Sequence, residues 1–156
     1  MRNLLLIPIF ISIIISFSTG CSHNKPNGTT STTGVANGIK DEDQFIKAQK
    51  CVGNESNFEE FRKITNGKQV HKVKEILNEL KWEYAKRDTL QPPDYQFVFQ
   101  PKDPKIKVHA ILNKIWITPD KDRLVIGRGD NQYALQLTKE QSAVLFEIIS
   151  GEKLVK

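Results

Sequence analysis

The chain of 156 residues carries 23 basic and 18 acidic side chains, a formal charge of +5, and its length holds one small domain with a leader and a spacer rather than two sizeable cores. Basic and acidic residues alternate and no block of five basic residues occurs, so a nucleic-acid-binding role is not expected. The mild positive excess favours attraction to an anionic membrane or a phosphate-rich wall polymer.

The amino terminus and Arg2 precede LLLIPIFISIIISF, residues 4–17. This is the pattern of a secretory signal: it is shorter than the roughly 20 apolar residues of a membrane-spanning helix, and Pro8 interrupts it. Cleavage is expected after the small residues STG, residues 18–20, and the next residue is Cys21. The junction resembles the lipobox of bacterial lipoproteins. Gly20 and Cys21 match that pattern at its two most restrictive positions, while Ser18 stands where leucine is usual. The resemblance implies a diacylglyceryl group on the Cys21 thiol, cleavage between Gly20 and Cys21, and a palmitate-type lipid anchor in the cell membrane, on its outer face. Two acyl chains, at roughly 0.8 kcal/mol per buried methylene, hold a protein stably where one does not. The alternative is a plain secreted protein in which Cys21 pairs with Cys51, the second of two cysteines.

Residues 22–40, SHNKPNGTTSTTGVANGIK, contain few large apolar groups and cannot offset the entropy of ordering. Residues 1–20 are therefore read as signal peptide, 21–42 as lipidated N-terminus and flexible linker, and 43–156 as a single domain. His23, inside the linker, is expected to be solvated. DQFIKAQKCV and FEEFRKIT, separated by GNES, read as a hairpin, and NGKQV breaks the chain. Val70, Val73, Ile76, Leu77 and Leu80 recur at helical spacing, leaving Lys72, Lys74, Glu75, Asn78 and Glu79 on the other face. Trp82 and Tyr84 then alternate with polar residues, QPPD breaks the pattern, and Tyr95, Phe97 and Phe99 resume it. KIKVHAILNKIWIT places Ile106, Val108, Ala110 and Leu112 on one strand face and becomes apolar on both faces from Ile115 to Ile117, as in a central strand. RLVIGRG and QYALQLT supply two more strands. Thr138 with Gln141 forms a capping box, Val144, Leu145, Ile148 and Ile149 make an apolar helix face, and Gly151 stops the helix.

Tight turns favour antiparallel pairing, so the expected fold is α+β: an antiparallel β-sheet with two helices packed on one face. In order, HKVKEILNELKWEYAK, PPDYQFVF, KIWITPDKDRLVI and LTKEQSAVLFEIISGEK resemble the small YhfM-like lipoproteins of Bacillus-type bacteria. The resemblance implies surface anchoring and an α+β domain, and supplies no catalytic residue.

No cofactor, metal site or catalytic residue is expected, because the chain has no His-x-x-x-His, Cys-x-x-Cys or calcium-loop spacing. His71 and His109 read as surface or sheet-face residues, and Asp41–Gln44 as a solvated acidic cluster. GRGDN, residues 127–131, contains Arg-Gly-Asp, but its residues are those of a tight hairpin turn. The Asn54-Glu55-Ser56 sequon means little in a bacterium. Trp82, Tyr84 and Tyr95, near Lys86 and Arg87, are a possible binding surface, with burial in the core as the bland alternative. The expected function is a membrane-anchored binding or interaction module with an envelope protein or wall-polymer partner. An extracytoplasmic hydrolase of wall polymer or peptide, and an inhibitor or accessory of another exported protein, are the alternatives.

Overall fold

The chain folds as an α+β domain. A computed structural model describes residues 38–53, 56–84, 91–130, 132–134 and 137–154; the expected signal, Gly20, Cys21, most of the linker and the sequon at Asn54 lie outside the described residues. The elements are β1 (Gln44–Cys51), β2 (Phe58–Ile64), α1 (Gly67–Glu79), β3 (Glu83–Tyr84), β4 (Tyr95–Pro101), β5 (Asn113–Ile117), β6 (Leu124–Arg128), β7 (Gln132–Ala134) and α2 (Lys139–Ser150). The strands form one sheet in the order β2-β1-β4-β5-β6-β7-β3. Every pairing in it is antiparallel.

Period-two alternation decides which face is buried. Ile46 and Ala48 of β1, Tyr95, Phe97 and Phe99 of β4, Ile115 of β5, and Leu124 and Ile126 of β6 form one apolar cluster with both helices. Val70, Val73, Ile76 and Leu77 come from α1, and Leu145, Phe146, Ile148 and Ile149 from α2. At about 1.5–3 kcal/mol for each large apolar side chain removed from water, this layer is the main source of stability. On the opposite face Trp116 and Val125 form a separate small cluster.

Helix α1 carries the chain from β2 at one edge of the sheet to β3 at the other, and α2 returns it. At the start of α2 the Gln141 amide donates to Glu79 at the end of α1, at 3.1 Å. At its end, Gly151 lies against the Arg62 guanidinium of β2 and has φ +81°. A side chain at 151 would meet both the positive-φ penalty and the arginine, so this glycine ends the helix and lets β2 approach. The expected capping box is present, with Thr138 Oγ1 accepting from the Gln141 backbone N–H at 3.1 Å and the Gln141 side chain accepting from the Thr138 N–H at 3.1 Å.

The structure departs from the sequence pattern in four places. Helix α1 starts before the expected break is over, because Asn66 caps it by accepting from the N–H groups of Lys68 and Gln69. Lys74, expected on the exposed face, is buried and bonds Asp41. In α2, Val144 is exposed while Phe146 is buried, since the helix presents 142, 145, 146 and 149 to the sheet. Residues 106–112 are not a strand; β5 begins only at Asn113. Ile115 and Trp116 are both buried, in keeping with the central place of β5.

The α2 helix is also fixed to the sheet by a polar contact: fully buried Ser142 accepts the Leu124 backbone N–H at 3.0 Å. Ser142→Ala strands that N–H inside the core and is expected to cost about 1–3 kcal/mol, read from the midpoint of a urea unfolding transition.

Candidate functional site

The sheet face away from the helices carries the groove of interest. Its floor is set by β1 and β4, where Phe45 stands opposite Gln100 on the half-buried face. Its wall is the connection between β4 and β5, which contributes Pro104, Ile106, Val108 and Ala110. The groove measures about 640 Å³ and is rimmed by Lys102 and Lys107. The Lys63 ammonium lies 4.1 Å from the centroid of the Phe45 ring, so cations meet the apolar floor as well as the rim. Ile106 is 41% exposed, a large apolar side chain offered to whatever enters.

The connection is held at both ends. Lys102 N–H donates to the Asp43 carbonyl at 2.8 Å, and Gly129 N–H to the Leu112 carbonyl at 2.8 Å. Near its start Asp103 caps the Lys105 N–H, and Ile106 N–H closes a turn onto the Asp103 carbonyl. At its end Asn113 donates through Nδ2 to the carbonyls of Ile111 and Phe97, at 3.2 and 3.5 Å. That side chain takes ladder positions at the point where β4 and β5 separate, which is why the expected long strand is cut short.

A second cluster sits where the chain enters the domain. Asp41 Oδ2 is 2.6 Å from His71 Nδ1, and Asp41 Oδ1 accepts from Lys74 at 2.5 Å. The acidic cluster expected to be solvated is thus partly a clamp from the 41–43 turn onto α1, and Gln44 beside it is fully buried. Burial pushes the Asp41 carboxyl up, but the hydrogen bonds from Lys74 and His71 outweigh it and hold the pKa below the ordinary carboxylate value. His109 lies exposed on the connection between β4 and β5, outside the groove lining and away from this cluster's residues in sequence. Among the described residues no group of histidine, cysteine, aspartate and glutamate is arranged to hold a metal ion.

The three aromatic residues expected to share a surface are separated. Tyr95 is buried between Phe61 and Phe146, with ring centroids 5.6 and 5.7 Å away. Trp82 is half-buried, donates to the Leu77 carbonyl at 3.1 Å and packs on the core. Tyr84 is 76% exposed on β3, four strand positions from β4 in the sheet order, or about 19 Å at the usual strand spacing. Lys86 and Arg87 lie outside the described residues. The groove is not legible in the sequence because it joins Phe45 to residues some 60 positions later, and its one local signal is the lysine spacing of KDPKIK.

Trp82 serves a different partner. The Arg128 guanidinium stacks on its indole at 4.0 Å, is buried, and has no hydrogen-bond partner at Nε among the described residues. Burial pushes the Arg128 pKa down to about 10. Burial also removes the arginine of Arg-Gly-Asp from any adhesion receptor, and Gly129, at φ +57°, makes the turn into β7. No family model, curated protein or solved structure matches the chain.

Two outcomes follow from the charged groups. Because the Asp41 pKa is lower in the folded state than unfolded, its contribution is complete above the unfolded value of 3.8 and disappears as pH falls through the folded value. Asp41→Asn is expected to cost on the order of 1 kcal/mol at neutral pH and to flatten the acid limb of a stability–pH curve. Arg128 is protonated at neutral pH and buried without a carboxylate among the described residues, so Arg128→Met, which keeps the packing, is expected to be neutral or stabilising by about 1 kcal/mol in thermal unfolding.

Proposed function

We propose that the chain is a lipid-anchored surface protein whose domain is a binding module of the cell envelope. The observation that carries this reading is the junction at Gly20–Cys21, where an apolar leader meets a cysteine and a polar spacer. The spacer composition separates an anchor at Cys21 from a domain whose described part begins at Gly38. The groove with apolar walls and a lysine rim gives such a domain something to bind with, in the manner of sites that combine apolar lining with a few placed polar groups. The partner is an envelope protein or a wall polymer.

The hydrolase reading has one observation in its favour, the 2.6 Å contact of His71 with Asp41. A general base needs a nucleophile or substrate proton within reach. Here the second carboxylate oxygen is taken by Lys74, and the arrangement is that of a structural clamp.

Growth with a labelled palmitate is expected to mark the wild-type chain, and Cys21→Ala is expected to remove the label and move the protein from the membrane fraction into the soluble one. An unlabelled wild-type chain contradicts the anchor, and a Cys21–Cys51 disulfide in that chain would establish the secreted alternative.

A further inference from the structure

We infer that the groove receives an acidic, extended peptide segment of another envelope protein, which pairs as a β-strand along residues 107–110 of the connection. The inference rests on the groove being the binding site of the proposed module, and it names the partner by its chemistry.

The first observation is a bare stretch of backbone on the groove wall. The chain before β5 runs without a ladder on β4, whose pairing with β5 covers only Tyr95, Gln96 and Phe97. Along the groove wall, the backbone N–H and carbonyl groups of residues 107–110 pair with no other described residue. Yet Ile106, Val108 and Ala110 keep the alternation of a strand. A strand-patterned segment tethered at both ends and left without a ladder is a template for another strand. In such complexes main-chain hydrogen bonds supply affinity, and pockets for alternate side chains supply selectivity. The apolar positions are Phe45, Pro101 and Val108, which line the space.

The second observation is charge. Lys102 and Lys107 line the groove, Lys105 is exposed between them, and Lys63 overlies Phe45. The acid on this stretch, Asp103, is turned onto the Lys105 N–H. A strand with carboxylates alternating with apolar side chains complements this lining. The chain's own residues 1–37 contain no aspartate or glutamate, so they lack the charge that the lysines select. A membrane surface would also attract the lysines, but it offers no ladder to the backbone groups, and apolar lipid penalises them when unpaired.

The test uses the full chain, purified from whichever cell fraction holds it, and a fluorescein-labelled peptide of alternating valine and glutamate. Saturating peptide is expected to slow amide hydrogen exchange at residues 107–110 by about tenfold or more. Ala110→Pro removes an N–H that bonds no described residue and is expected to weaken binding by about tenfold with unchanged thermal unfolding; Lys102→Glu with Lys107→Glu is expected to weaken it at least as much. Val144→Ala, on the far side of the domain, leaves affinity unchanged. Unaltered exchange at 107–110, or equal binding of a valine–lysine peptide, overturns the inference. Protection by phosphatidylglycerol vesicles but not by peptide overturns it too, and gives the groove to the lipid surface. The assay does not read attachment through Cys21, so failure of strand addition and failure of anchoring remain distinct results.

Discussion

Burial of Ile46, Phe97, Ile115 and Ile126 against α1 and α2 is the constraint on which the rest of the domain depends. An antiparallel sheet with one apolar face needs one covering layer, and two helices running in opposite directions across the strands provide it. Using both helices on the same face leaves the other to strands and connections. Phe45, Gln100 and the 102–112 connection lie on that second side, where the sheet can split without opening the core.

The split has a local cause in Asn113. Its amide donates to the Ile111 and Phe97 carbonyls, and its Oδ1 is buried without a partner among the described residues. Beside it in the sheet register stands Arg128, also buried and also incompletely bonded. Buried polar groups left unpaired weaken a core, and these two lie on the helix-facing side at the row where the β4–β5 ladder ends. The stacking of Arg128 on Trp82 recovers part of the guanidinium's lost solvation. Pairing beyond Asn113 is thereby forgone, which leaves residues 107–110 on the groove wall without a ladder.

Much of the architecture could be read from periodicity. The two hairpin strands, the apolar stripe of α1, the Thr138–Gln141 box and the stop at Gly151 are local patterns whose physics lies within a few residues. The misreadings share a different origin. The spacing of Lys74 places it off the apolar stripe, but a carboxylate 33 positions earlier draws it in. Residues 106–112 alternate like a strand, and nothing in the alternation says that Asn113 will end the ladder. Of the candidate aromatic surface, Tyr95 and Trp82 went to the core because helix α2 and Arg128 supply partners from distant sequence. The groove belongs with these cases, since its floor comes from β1 and its wall from the chain after β4.

The proposed lipid anchor at Cys21, with the spacer and a groove with cationic edges, would hold the domain near the membrane and offer it to a neighbour. The most direct measurement is photocrosslinking in intact cells from a photoreactive residue placed at Ile106, with the same residue at Lys68 on α1 as reference. The account predicts a discrete adduct from position 106 that maps to an acidic, extended segment of one envelope protein and is absent from position 68. Adducts with lipid alone, or the same products from both positions, would contradict it.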